Sequence, residues 1–164
     1  GHIEAAHLFG VDPSKIEVVI HRESILHSAV EYIDNTVIAE MSVPDMRSCV
    51  QYAVDYPDRE ESVSAELDFA AVGSLTFAEP DTEAFPLLAL ASEAMALGGA
   101  MPAILNAADE VAVAAFLEER LDFLGISDTV IEVFSRMKGR TASTVEELIA
   151  ADREARAIAA SLIN

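Results

Sequence analysis

From Phe85 onward the sequence adopts a pattern that few folds can accommodate. Alanine and leucine dominate, and apolar residues recur at three- and four-residue spacing between glycine and proline breaks. Phe85-Pro86 opens one predicted helix that Gly98-Gly99 ends, and Pro102 opens the next, with Ile104, Leu105, Ala108, Val111, Ala112, Ala115 and Phe116 on a single stripe. Ser127 reads as the cap of a third helix running to Met137 and stopping at Gly139. Ser143 with Glu146 forms a capping-box pattern for a fourth, lined by Val145, Leu148, Ala155, Ile158 and Leu162. Short connections between such helices imply antiparallel neighbours, hence an up-and-down bundle.

The N-terminal part has a different period. Ile3 to Phe9 reads as a short helix ended by Gly10, and Asp12-Pro13 as a turn. Ile16 to His21 is rich in β-branched residues and predicts a buried strand. Two β-prone runs between Ile25 and Ser42 flank Asp34-Asn35, which predicts a hairpin with a two-residue turn. Ile33 would then pair with Thr36. Leu26, Ser28, Val30 and Tyr32 would share a core-facing side with Val37, Ala39, Met41 and Val43, opposite a mixed face of Ile25, His27, Ala29, Glu31, Ile33, Ile38, Glu40 and Ser42. Pro44-Asp45 starts a helix with an apolar stripe of Met46, Cys49, Val50, Ala53 and Val54, which Tyr56-Pro57 stops. Cys49 reads there as a small core residue. Residues 58–82 form a connection that packs against a core, with a short strand expected around Ser74 to Phe77. The fold class is therefore α+β: a partial sheet with a β-hairpin and a helix, followed by a C-terminal antiparallel helical bundle.

Charge narrows the function. Twenty-nine Asp and Glu face ten Lys and Arg across 164 residues, a formal net charge of −19, so neither nucleic acid nor an anionic membrane is an expected partner. The most apolar region, around Met95 to Leu105, is interrupted by glycine and proline and falls short of the ~20 residues a membrane-spanning helix needs. A lone cysteine can form no internal disulfide, which points to a reducing, cytoplasmic setting. The chain opens on Gly1-His2 without Met or a helix cap, and reads as a piece of something longer.

The residues offer few catalytic patterns. Gly98-Gly99 reads as a helix end rather than a phosphate loop, and His2, Glu4 and His7 match no metal-protease spacing. His21 and His27 belong to the expected sheet, where His27 lies with Glu31 and Glu40 and could donate to an anionic substrate, although an ordinary exposed strand histidine fits the spacing as well. Asn106, Asp109 and Glu110 read as a solvated or inter-helix hydrogen-bonding face. Met46, at the start of its helix, reads as a core methionine or as a residue lining a ligand.

Several words of sequence are distinctive together: Ile3-Glu4-Ala5, Ile16 to His21, Ser24-Ile25-Leu26-His27-Ser28, Pro44-Asp45-Met46-Arg47, Leu75-Thr76-Phe77 with Pro80-Asp81, and Leu105 to Phe116. In order and spacing they resemble the C-terminal half of the 1-deoxy-D-xylulose 5-phosphate reductoisomerase family, over essentially the whole chain. The resemblance implies an enzyme of non-mevalonate isoprenoid biosynthesis that converts this sugar phosphate to 2-C-methyl-D-erythritol 4-phosphate with NADPH and Mg²⁺ or Mn²⁺. It further implies a homodimer, with residues 1–57 in the catalytic and dimerisation domain, 58–82 as linker and 83–164 as helical bundle. It places His27 in the substrate pocket, with Met46 and Pro44 near the nicotinamide.

The family's dinucleotide-binding domain, metal-ligating carboxylates, phosphate-holding residues and flap would lie upstream. The last metal-binding glutamate would fall in register at Gly1, so no metal ligand is assigned, no cofactor is expected on this chain alone, and the chain alone is expected to be inactive. Departures from the family pattern are Arg22-Glu23 for Pro-Gln, Asn35 for Gly, Ser48-Cys49 for Thr-Pro, and Asp109 for Asn. The competing readings are a non-catalytic dimerisation or interaction module derived from the enzyme, and a small metal-dependent hydrolase using His21, His27 and the hairpin glutamates.

Overall fold

A computed structural model describes residues 2–163, and the register position at Gly1 lies outside them. The chain divides into two compact units, one comprising residues up to Val18 together with those from Pro80 onward, the other Val19–Glu79.

The first unit holds α1 (His2–Phe9) and the bundle, with α4 (Leu87–Leu97), α5 (Met101–Leu117), α6 (Phe123–Arg136) and α7 (Val145–Ile163). The central helix is α5, which packs on α4, α6 and α7. Its buried side is Met101, Ile104, Leu105, Ala107, Ala108, Ala112 and Ala115, while Val111 is only partly buried and Phe116 is exposed. On α7 the buried residues are Ala151, Ala155 and Ala159, so the two helices meet through side chains of one carbon, which lets their backbones approach closely. On α6, Ile126, Val130, Val133 and Phe134 supply the bulk that fills the remaining space.

The helix ends follow from local chemistry, with two corrections to expectation. Gly98 caps α4 and Gly99 has φ +56°. A Cβ on Gly99 would lie 3.0 Å from the Arg140 carbonyl oxygen, so the turn needs glycine for space as well as conformation. Asp122, not Ser127, caps α6, its carboxylate accepting from the Gly125 amide at 2.6 Å. Helix formation therefore begins earlier than the apolar stripe suggests. The capping box at α7 lies one residue later than Ser143/Glu146: the Thr144 hydroxyl accepts from the Glu147 amide at 3.2 Å, and Glu147 Oε2 accepts from the Ser143 amide at 2.6 Å and the Thr144 amide at 3.3 Å.

Polar groups tie α5 to α7 at the rim. Arg156 donates to Asp152 on its own helix and to Glu110 on α5 at 2.7 Å, and Asn106 donates to Glu110 at 2.9 Å. The Arg156 guanidinium, with help from Asn106, holds the Glu110 carboxyl below its ordinary range. Asp109, next to it, is half-buried; burial first, and the neighbouring Glu110 charge second, push its carboxyl up.

The second unit holds β1 (Leu26–Glu31), β2 (Val37–Met41), α2 (Met46–Asp55) and the single turn α3 (Phe69–Val72). The hairpin forms as expected, but through a three-residue loop: Tyr32 exchanges backbone hydrogen bonds across to Thr36 and Asn35, leaving Ile33, Asp34 and Asn35 in the turn with Asn35 at φ +63°. That geometry, a type I turn closed by a left-handed residue, replaces the expected Asp34-Asn35 pair. Val30 consequently pairs with Ile38 rather than Ala39, and the expected faces are re-sorted. Neither face forms a core: both strands are exposed except at their half-buried ends, Leu26 and Met41.

Other expectations for this unit also change. Residues 16–19 form no strand, and Ile20 makes only an isolated bridge with Ala78, which is also all that replaces the strand expected around Ser74 to Phe77. Without a neighbouring strand to complete a ladder, β-branched composition alone does not make one. Helix α2 starts where expected, Asp45 accepting from the Arg47 amide, but none of its residues is buried and Cys49 is exposed rather than in a core. Nothing among the described residues covers its apolar stripe. The following loop is held to α2 by Gln51, which donates to the Glu61 carbonyl at 2.8 Å and accepts from the Val63 amide at 3.2 Å, and by Arg59 stacked over Tyr52.

Two outcomes are expected in the bundle. Ala155→Leu should destabilise it by about 1–3 kcal/mol, because the α5–α7 contact has no room for a branched side chain, read as an earlier helix-melting transition in urea. Asp109→Asn should raise the melting temperature at neutral pH by about 1–3 °C. The unfolded chain ionises Asp109 at a lower pH than the folded chain, so stability is lost as pH rises through that window. The gain of the Asn variant over the parent should therefore vanish below the ordinary carboxylate range, as thermal melts across pH would record.

Candidate functional site

The functional candidates gather in the second unit around β1. Its register shifts between Leu26, opposite Met41, and Ser28, opposite Glu40, so His27 is the extra residue of a β-bulge. A bulge turns its residue out of the alternating pleat and re-aims the side chain. His27 is exposed, and its Nε2 lies 3.3 Å from the Ser42 carbonyl oxygen on the returning chain. A carbonyl only accepts, so Nε2 donates in that contact. Nδ1 makes no hydrogen bond to a described residue.

The segment that receives this contact leads directly into the other two candidates. Pro44 is exposed, two residues beyond Ser42, and Asp45 follows as the cap of α2. The Asp45 carboxylate also pairs with the Arg47 guanidinium; that contact, followed by the Arg47 amide, holds its carboxyl below the ordinary range. Met46 is the first residue of α2 and is 75% exposed. The core reading of Met46 is thus not met among the described residues. The Ser42 contact brings His27 onto the segment carrying Pro44 and Met46.

Upstream of the hairpin, His21 is the most enclosed titratable side chain of the unit's polar cluster, with 5% of its side chain accessible. Its Nδ1 is 2.9 Å from the Thr76 carbonyl oxygen and 3.0 Å from Glu23 Oε2, and its ring stacks on Phe77 at 4.8 Å. Glu23 accepts from the Thr76 hydroxyl at 2.7 Å and the Thr76 amide at 3.3 Å, and the hydroxyl contact leads in holding its carboxyl below the ordinary range. Sequence reasoning placed His21 on a strand and singled out neither Glu23 nor Thr76 for a role. Fifty-three residues separate that pair, and no local pattern signals such a contact.

Other candidates stay apart. His2, Glu4 and His7 lie on α1 of the first unit, and among the described residues no group of three or more His, Cys, Asp or Glu could hold a metal ion. The described residues therefore do not by themselves fit a divalent cation. Of the face formed by Asn106, Asp109 and Glu110, Glu110 makes the inter-helix bond, accepting from Arg156 of α7, whereas Asn106 donates to Glu110 within α5. No helix among the described residues is long and apolar enough to cross a membrane.

Comparison with known proteins agrees with this architecture. A family profile described as the DXP reductoisomerase C-terminal domain matches residues 41–158. The 1-deoxy-D-xylulose 5-phosphate reductoisomerase of Bacteroides thetaiotaomicron is 51% identical over 161 residues, covering 98% of this chain and 41% of the relative. That of Pseudomonas aeruginosa is 48% identical over 157 residues, covering 96% and 40%. The chain thus spans about two fifths of the length of the curated relatives it matches.

Among solved structures, the Zymomonas mobilis enzyme in complex with NADPH superposes with a TM-score of 0.90 at 41% identity, over 99% of this chain and 43% of that one. A reductoisomerase in complex with NADPH, fosmidomycin and magnesium superposes with a TM-score of 0.88 at 36% identity, over 99% and 42%. With a family profile covering more than two thirds of its length and the same fold in solved members, this chain belongs to the 1-deoxy-D-xylulose 5-phosphate reductoisomerase family.

Proposed function

We propose that this chain is the C-terminal part of an NADPH- and divalent-metal-dependent reductoisomerase that converts 1-deoxy-D-xylulose 5-phosphate to 2-C-methyl-D-erythritol 4-phosphate in cytoplasmic isoprenoid synthesis. In that reading residues 1–57 belong to the catalytic and dimerisation domain, 58–82 connect, and 83–164 form the helical domain. The observation that carries it is the bulged His27, whose anchored ring leaves one nitrogen free beside the segment bearing Pro44 and Met46. His27 would bind a substrate oxygen, Met46 would pack its thioether against the nicotinamide, and Pro44 would stiffen the approach to α2. The cation would polarise substrate oxygens when bound, but the carboxylates to hold it are supplied from outside the described residues.

On this proposal the chain alone is inactive and the activity belongs to a longer protein. The exposed apolar residues of the hairpin, Val30, Tyr32, Val37 and Ile38 among them, support a covering surface from that longer protein or from a second copy in a homodimer. The same surface favours the second reading, a non-catalytic dimerisation module.

The test is NADPH consumption with 1-deoxy-D-xylulose 5-phosphate and Mg²⁺ or Mn²⁺, comparing this chain with a version extended upstream. Turnover is expected only in the extended protein, where His27→Ala should lower kcat/KM by about 10- to 100-fold, the equivalent of one or two hydrogen bonds. A folded, extended protein without turnover would favour the interaction module.

A further inference from the structure

We propose that His21 and Glu23, acting through Thr76, are positioning residues that aim His27. Every polar group of Thr76 is engaged: its carbonyl oxygen by His21 Nδ1 at 2.9 Å, its hydroxyl by Glu23 Oε1 at 2.7 Å, and its amide by Glu23 Oε2 at 3.3 Å. Nδ1 faces two acceptors, the Thr76 carbonyl and the Glu23 carboxylate, so it carries the ring proton. Nε2 is buried with no hydrogen-bond partner, which suits the deprotonated nitrogen of a neutral ring better than a second N–H. Phe77 closes the ring's face, and the bridge between Ile20 and Ala78 continues the attachment on the other side. The chain entering the hairpin is thereby fixed to a segment more than fifty residues away.

From this clamp the path to His27 is constrained at each step. Ser24 turns at φ +52°, its amide donating to the His21 carbonyl at 3.3 Å. Ile25, the one buried apolar residue among the described residues of this unit, follows, and its carbonyl accepts from the Ser42 amide at 3.0 Å. The Ser42 carbonyl then receives His27 Nε2. A bulged residue has no ladder partner of its own to hold it, so its direction depends on where the chain enters the strand. The clamp sets that entry.

The proposal rests on reading His27 as the substrate-facing residue, but its test reads geometry and not turnover, so the two can fail separately. Histidine-labelled full chain is observed by NMR, with the His27 imidazole signals assigned through His27→Gln. The parent should show the Nδ1–H tautomer at His21. Thr76→Val should displace the His27 imidazole signals, and Thr76→Ser, which keeps the hydroxyl, should restore them. His27 signals unmoved in Thr76→Val, or moved equally in Thr76→Ser, overturn the proposal. If Thr76→Val loses the amide dispersion of residues 19–79, Glu23→Gln decides. Its amide still accepts from the Thr76 hydroxyl but sets a donor against the Thr76 amide and His21 Nδ1–H; the same displacement supports the proposal, and unmoved His27 signals overturn it.

Discussion

The closeness of α5 to α7 is the constraint on which the helical unit depends. Alanines at 107, 108, 112 and 115 on α5 and at 151, 155 and 159 on α7 all have no accessible surface, and α4 and α6 pack around the same central helix. Alanine buries little area per residue, so the contact gains its stability from backbone proximity and from the larger Met101, Ile104, Val130, Val133 and Phe134 that close the remaining space. At the rim Arg156 joins Glu110 and Asp152 across the helix pair. Asp109 is a half-buried carboxylate for which no described residue supplies a partner that would stabilise its charge.

The second unit is organised by specific attachments rather than by an enclosed core. Ile25 alone among its described residues is buried; the rest is held by the Thr76 clamp, the hairpin ladder and the Gln51 and Arg59 clasp on α2. Such attachments are directional, which suits the role proposed for His27, Pro44 and Met46. A hairpin of this size gains little stability by itself, and its exposed valines, isoleucine and tyrosine are surface that further protein is suited to cover.

The legibility of the sequence follows the same division. Helices α4, α5 and α7 were readable because periodicity over many residues is reinforced by local signals, a proline start for α4 and α5, a glycine stop for α4 and a capping-box pattern for α7. The caps slipped where two neighbouring residues could each serve, as with Ser143 and Thr144, since only geometry decides which oxygen reaches the amide. The hairpin was readable, but Asp34-Asn35 allows a two- or a three-residue loop, and that choice inverts the pairing. The apolar stripe of α2 was legible as a pattern, but not that the described residues leave it uncovered. His27 could be picked out as a candidate, whereas its bulge and the contact between Glu23 and Thr76 have no short-range signature.

The bulge has an arithmetic consequence. Pleated strands count in twos: the three-residue loop shifts the pairing by one residue from that of a two-residue turn, and the extra residue at His27 shifts it by one more in the same direction, so Leu26, opposite Met41, regains the parity the loop had changed. Loop and bulge thus behave as a matched pair of insertions. The loop tip, although far along the strand from His27, is thus linked to it by parity rather than by contact.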